Sequence, residues 1–383
     1  MTSTAPATAN ELTEAQLRNW SLLEAFQGRL APHLKRRLQT PTETDPRRTL
    51  QVGPYLSLML LGLFNPVLKT TRALCVASRF ARVQAESGCT PVSLASFSAM
   101  QQVVEPELLA GLLREMSAEA LPVFGEDRVR QQVKELIAND GTLLPALPRM
   151  AWALWQNPQN RAGKLHLEFS VWRQVPVEFT VTDGNTSERA GWKHKLRKGA
   201  CYVNDRNYSH DYRLIGDVQK AGARFVLRLH NNAILTPLGP ARRLSEADRQ
   251  AGVVEDIPVR LGSDPQGPEG RLVRVEADGH TFLLFTNLAD LEAELVALIY
   301  RYRWQIELYF KWIKCVLGCR HWMAESLEGM TLQIYCALIA SVLLVLWTGR
   351  KPTLRQWEAL QLYWIGYIDL EELAQSLGFG KDK

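Results

Sequence analysis

A change of period near residue 131 constrains the fold more than any other feature. Up to about residue 130 the apolar positions recur at helical spacing, punctuated by Pro54, Pro66 and Pro91, with no convincing strand. Within that stretch, PVSLASFSAMQQVVEPELLAGLLREM reads as a serine-capped short helix, a break at Glu105-Pro106 and a second amphipathic helix. Beyond 131 the pattern is one of strands. Leu136 to Ala138 form a short apolar run, and Leu165 to Phe169 with Val175 to Val181 form an antiparallel pair around Arg173-Gln174. Cys201 to Val203 and Arg224 to Leu229 follow as further strands, separated by helical spacing. The fold class is therefore α/β, with a helical region in front.

From about 232 to 284 the composition shifts. Clusters such as TPLGPARR and GSDPQGPEG separate short runs, IPVRL and GRLVRVE, as in a β-rich insertion. Beyond about 318 the chain is helical again. Trp357, Tyr363, Trp364 and Tyr367 are spaced for an amphipathic face that packs on its own domain or meets another subunit. Ile334 to Trp347 is strongly apolar but, at about fourteen residues, shorter than the roughly 20 that span a bilayer, so it reads as a buried helix and implies no membrane.

Chemistry concentrates in YRYRWQIELYFKWIK, Tyr300 to Lys314. At about 100° per residue, Tyr300, Arg303, Glu307 and Lys314 share an arc of about 60°, flanked by Trp304 and Lys311. Aromatic residues at this spacing are usually core, and a glutamate with a lysine seven residues on is often a solvated face. Two aspartates alter the balance. Asp140 ends the run VKELIAND, where Asn-Asp-Gly chemistry predicts a turn and a carboxylate at a strand's C-terminal end. Asp205 lies in ACYVNDRNYSHDYRL, between a strand and a helix that Ser209 is expected to cap. Three acids can hold two divalent ions about 3.5 to 4 Å apart, an arrangement suited to in-line displacement at phosphorus.

Asp140-Gly-Thr, Asp205-Arg-Asn-Tyr and the Tyr300, Arg303, Glu307, Lys314 series, with Trp304 after Arg303, resemble the DDE transposases of the insertion-sequence-four family. The resemblance covers residues 50 to 350 or so, and departs from the family pattern at Asn207, where glycine is usual. Asparagine tolerates a left-handed backbone, so the turn is expected to survive. The resemblance implies a ribonuclease-H-like catalytic core over 131–231 and 285–350, the β-rich insertion at 232–284, and helical regions at 1–130 and 351–383. It further implies that Asp140, Asp205 and Glu307 are catalytic and hold two metal ions, Mg²⁺ or Mn²⁺ in its place. Tyr300, Arg303 and Lys314 would contact DNA phosphates, and Trp304 a displaced base. The partners implied are DNA, as terminal inverted repeats and target, and a second copy of the chain on paired ends. Residues 1–130 would bind the element's ends, or else form a helical packing domain without DNA contact.

SERAGWKHKLRKG reads as a basic helix carrying Arg189, Lys193, Lys195, Arg197 and Lys198, either a solvated face or a set of phosphate contacts. The chain has 383 residues, 46% of them hydrophobic, enough for a large core, and its charge of +5 is compatible with DNA. Its six cysteines show no paired spacing. Cys315, Cys319 and His321 lie close together but lack a fourth ligand, so no zinc site is expected. The N-terminus lacks the pattern of a signal peptide, and a reducing cytoplasm is the expected compartment. A metal-dependent nuclease without strand transfer would use the same carboxylates. A non-catalytic DNA-binding relic or inhibitor would be marked by loss of an acid, and all three are present.

Overall fold

The computed structural model describes residues 21–37, 45–192, 195–210, 212–318, 322–351 and 353–378. Lys193, Cys319, His321 and the first twenty residues, on which some of the expectations above rest, lie outside the described residues. The chain divides into two compact units. One comprises 1–120, 146–152 and 312–383, the other 121–145 and 153–311.

Among the described residues the first unit begins with six helices: α1 (Ser21–Arg37), α2 (Val52–Phe64), α3 (Thr71–Ala77), α4 (Ala81–Ser87), α5 (Leu94–Val103) and α6 (Glu107–Glu119). Ser93 caps α5 by accepting from the Ser96 N–H, and the chain breaks at Glu105-Pro106 before α6, as its residues predict.

The second unit opens with α7 (Asp127–Gln132) and the antiparallel meander β1 (Leu136–Pro145), β2 (Leu154–Trp155), β3 (Asn157–Ser170) and β4 (Val175–Asp183). Gln174, at φ 57°, makes the turn between β3 and β4. A single helical turn, α8 (Glu188–Gly191), leads to β5 (Cys201–Asn204), a 3₁₀ turn (Arg206–Tyr208), α9 (Tyr212–Lys220) and β6 (Arg224–Arg228). Then come β7 (Leu235–Pro237), α10 (Glu246–Gln250), β8 (Val253–Leu261), β9 (Glu269–Ala277) and β10 (His280–Thr286). All ten strands form one sheet, in the order β2-β3-β1-β5-β6-β10-β9-β8-β7 with β4 beside β3; β1, β5 and β6 are parallel. The region 232–284, expected as an insertion, therefore continues this sheet, because β10 pairs antiparallel with β6.

Two helices close the unit and lead out of it: α11 (Ala293–Tyr302) and α12 (Trp304–Leu317). A buried network fastens the start of α11. Arg271 pairs with Asp256 at 2.5 Å, each 5% exposed, and donates to the carbonyls of Leu288 and Leu291, while Asp248 accepts from the Glu294 N–H.

The chain finishes in the first unit with α13 (Leu327–Thr348), α14 (Leu354–Trp364) and α15 (Leu370–Leu377). At 22 residues, α13 is longer than its apolar sequence run, and it meets the length and apolarity of a membrane span. The shortness expected of this segment is thus corrected. In this fold 89% of its apolar window is buried, and it packs on α2 and α6 as a core helix. Its even apolarity has this cause, since a helix surrounded by others needs no polar face. Of the aromatics expected on one amphipathic face, Trp357 and Trp364 pack on Phe64, whereas Tyr367 lies beyond α14 and is exposed.

Candidate active site

β1 brings Asp140 to the site by a route the sequence does not suggest. Asn-Asp-Gly makes no turn. The strand runs through it to Pro145, held in register with β3 from Ile137↔Ser170 to Pro145↔Ala162. Only the parallel pairing to β5 stops, at Ala138↔Val203, so Asp140 lies where the two parallel strands part. That divergence is where α/β sheets expose a crevice at the carboxyl ends of their strands.

β5 delivers Asp205 to the same crevice. Its carboxylate accepts from the Asn207 N–H at 2.9 Å and caps the 3₁₀ turn. Asn207 sits inside that turn, and it is not among the residues with positive φ. The expected tolerance of a left-handed backbone is therefore not called upon. The Ser209 hydroxyl, expected to cap α9, donates to the Arg206 carbonyl; residue 211, directly before that helix, lies outside the described residues.

The third acid comes from α12. Tyr300 lies in the last turn of α11, which ends at Tyr302, and Arg303 forms a junction tightened by i to i+3 bonds, Arg303 N–H to Tyr300 O and Ile306 N–H to Arg303 O, so the expected single helix is interrupted there. The stripe survives this break. Tyr309 stacks on Phe169 of β3 with centroids 4.8 Å apart, setting α12 over the sheet face that bears Asp140. Arg303 then bridges two acids, with Nη2 2.6 Å from Glu307 Oε1 and Nη1 3.7 Å from Asp140 Oδ2. Its guanidinium also lies over the Tyr300 ring at 5.8 Å.

The electrostatics show how closely the acids couple. Burial pushes the Asp140 carboxyl up to about 7; Asp205 and Glu307 add to the rise, and the Gly141 N–H and Arg303 oppose it. Burial also raises Asp205, against the Asn207 N–H and Arg303. Negative charge is thus in excess at this point of the fold, and the available donors are hard oxygens, the chemistry that suits Mg²⁺ or Mn²⁺. Among the described residues no three acids converge as a ligand set, and Glu307 is turned to Arg303. In donor type and charge the residues fit a divalent ion.

Trp304 is 47% exposed at the rim, with Lys311 over its ring at 5.5 Å. It borders a cavity of about 530 Å³ whose wall includes Arg228, Phe282, Tyr300 and Arg303. Lys314 is half-buried on α12, two turns beyond Glu307 and in the part of the helix that belongs to the first unit.

Other residues of the site escaped sequence reasoning. Lys164 pairs with Glu188 at 2.7 Å, and a side chain at Gly141 would run into both. The signal was the alternation of KLHLEF in β3, whose polar face normally meets water. Here Glu188, Trp192 and Arg197 cover it instead. Glu168 accepts from Trp192 and Arg197, and Arg197 also pairs with Glu135. The expected basic helix over this segment is accordingly reduced to the single turn α8, with Arg197 engaged inside the fold. The Asn-Asp dipeptide at both aspartates is a second missed signal: Asn139 and Asn204 are buried, and each leaves an amide oxygen without a hydrogen-bond partner.

Residues 131–343 match the family described as Transposase DDE domain. Over 211 residues the chain is 33% identical to y4zB of Sinorhizobium fredii (strain NBRC 101917 / NGR234), which is named as a transposase; the match covers 54% of this chain and 58% of that one. It is 27% identical over 212 residues to a Geobacillus stearothermophilus protein named as a transposase for insertion sequence element IS5377, covering 54% and 55%. A Synechocystis sp. (strain ATCC 27184 / PCC 6803 / Kazusa) protein, named as a transposase for insertion sequence element IS4SA, is 25% identical over 284 residues, covering 70% and 77%. The chain thus spans little more than half the length of the first two relatives.

Proposed function

Since the chain belongs to the transposase DDE domain family, as its resemblance to the insertion-sequence-four elements implies, we propose that it cuts DNA at the ends of an insertion element and joins the freed ends to target DNA. The observation that carries this reading is the meeting of Asp140, Asp205 and the Arg303–Glu307 pair where β1 and β5 part. The strand order β4-β3-β1-β5-β6, an antiparallel meander followed by two parallel strands, supports a ribonuclease-H-like core.

Asp140, Asp205 and Glu307 would hold the divalent metal the family requires, as two Mg²⁺ ions. When bound, these would polarise the phosphoryl oxygens and neutralise charge gathering on the attacking and leaving oxygens. The chain's own part is placement. β1 and β5 fix two carboxylates on rigid strands, and α12 brings the third across the sheet. Water attacks phosphorus and the P–O3′ bond breaks, leaving a 3′-hydroxyl and a 5′-phosphate. That hydroxyl then attacks the phosphorus of a second phosphodiester and displaces that linkage's own 3′-oxygen, which leaves as a new 3′-hydroxyl, so no covalent enzyme intermediate is needed.

Tyr300, Arg303 and Lys314 contact the phosphates near the cut, and Trp304 packs a displaced base beside the cavity lined by Arg228 and Phe282. The helical region 1–130 binds the element's ends, strands of 232–284 shape the DNA path, and two copies act on paired ends in the cytoplasm. The test is to incubate the protein and its Asp205→Ala variant with DNA flanking its own gene, in Mg²⁺ and in EDTA, and to map the products. Cuts at a defined end that need both Asp205 and metal are expected. Binding with no cutting under any condition would instead support a non-catalytic binding protein.

A further inference from the structure

Arg303 stands between acids that a metal site would need together. Its Nη2 donates to Glu307 at 2.6 Å and its Nη1 lies 3.7 Å from Asp140, with the side chain 14% exposed and Nε buried without a partner. Its charge is felt at Asp205 as well. Arginine keeps its proton in proteins, so this cation cannot be removed by titration. A carboxylate oriented into a charge-assisted bond must give that bond up to turn toward a divalent ion, and two cations a few ångströms apart repel in a water-poor site. Arg303 therefore competes with the ion for Glu307.

We propose that Arg303 couples phosphate binding to metal loading. It holds Glu307 while DNA is absent, and a backbone phosphate that takes over its guanidinium releases the carboxylate to complete the ligand set. The inference rests on the transposase reading above. By linkage, DNA then tightens metal binding by the same factor as metal tightens DNA binding. Ions would enter the complete site chiefly when a phosphate is there to be cut.

The test is Mn²⁺ binding to the DNA-free protein, followed through the spin-resonance signal of the unbound ion, in a double-mutant cycle of Arg303→Met and Glu307→Gln. Arg303→Met should tighten Mn²⁺ binding roughly ten- to a hundredfold, the span of one charge-assisted hydrogen bond. Glu307→Gln should change the wild-type affinity by less than about twofold, yet erase the gain in the Arg303→Met background. Arg303→Lys, which keeps the charge, should stay near wild type, and Arg303→Gln, closer in shape, should repeat the result if Arg303→Met folds poorly. A gain in Arg303→Met that survives Glu307→Gln would reflect only the removal of a nearby charge and would overturn the coupling. Equal losses from Glu307→Gln in both backgrounds would overturn it too, since Glu307 would then be a free ligand already. Mn²⁺ binding indifferent to Asp140→Asn in every background would instead remove the metal site on which the transposase reading depends.

Discussion

Replacing Asp140 with asparagine should stabilise the metal-free protein, and by an amount that depends on pH. The carboxyl is raised from 3.8 to about 7 in the fold. Between those values the folded protein holds a proton that the unfolded chain has released, so stability falls as pH rises across the window and levels off above about 7. Below about pH 4 both states are protonated and the effect vanishes. At about 1.4 kcal/mol per pH unit, this difference corresponds to a ceiling of ~4 kcal/mol at pH 8. The side chain is 17% exposed, so solvent screening removes only a modest share. At about 2–4 °C per kcal/mol for a unit of this size, Asp140→Asn should melt on the order of 10 °C above wild type at pH 8 in EDTA. The two proteins should converge near pH 4. Melting both across that range cancels the titrating groups that do not couple to Asp140, including Asp248, whose lowered value acts in the opposite direction. Mg²⁺ at pH 8 should raise the wild type and leave the variant almost unmoved. Parallel melting curves from pH 4 to 8 would refute the burial and charge-crowding account of Asp140.

Three further outcomes are expected. Arg271→Met should cost about 3–5 kcal/mol in chemical denaturation, because it strands Asp256 in a buried site, and Asp256→Leu in the same chain should recover much of that loss. Gly141→Ala should cost up to about 1 kcal/mol, since its new methyl would stand 2.9 Å from Lys164 Cε and would push that side-chain end against its pairing with Glu188; combining it with Lys164→Ala should lessen the penalty, and simple additivity would contradict the proposed clash. Lys314→Ala should flatten the salt dependence of DNA binding by a slope of about 0.9, and an unchanged slope would remove Lys314 from the phosphate contacts.

Much of this architecture is legible because it follows from periodicity. The switch from helical to strand spacing locates the sheet, and serine with proline locates α5 and α6. The stripe from Tyr300 to Glu307 survives as read because hydrophobic contacts of α12 set its orientation. What the sequence misplaces are features decided by partners distant along the chain. Asn139-Asp140-Gly141 has turn chemistry, but nine register pairs with β3 override it. The alternation of KLHLEF gives no sign that Trp192 and Arg197 cover its polar face. The strands of 232–284 read as a β-rich insertion, and it is the pairing of β10 with β6 that joins them to the sheet. Arg303 reads as a phosphate contact, and only the fold shows that Glu307 holds it first.

The division of the chain also orders events in time. α13 packs on α2 and α6, yet roughly 200 residues lie between α6 and α13, so the first helices leave the ribosome well before their core helix is made. At about 5–20 residues per second, that delay is on the order of ten to forty seconds. The sheet unit is finished first, and α2, almost wholly apolar, must wait with its surface open to other chains. Synthesis stalled near residue 311 should therefore leave a protease-resistant sheet beside degradable N-terminal helices. Equal protection of both parts would show that α1 to α6 reach a stable packing without α13.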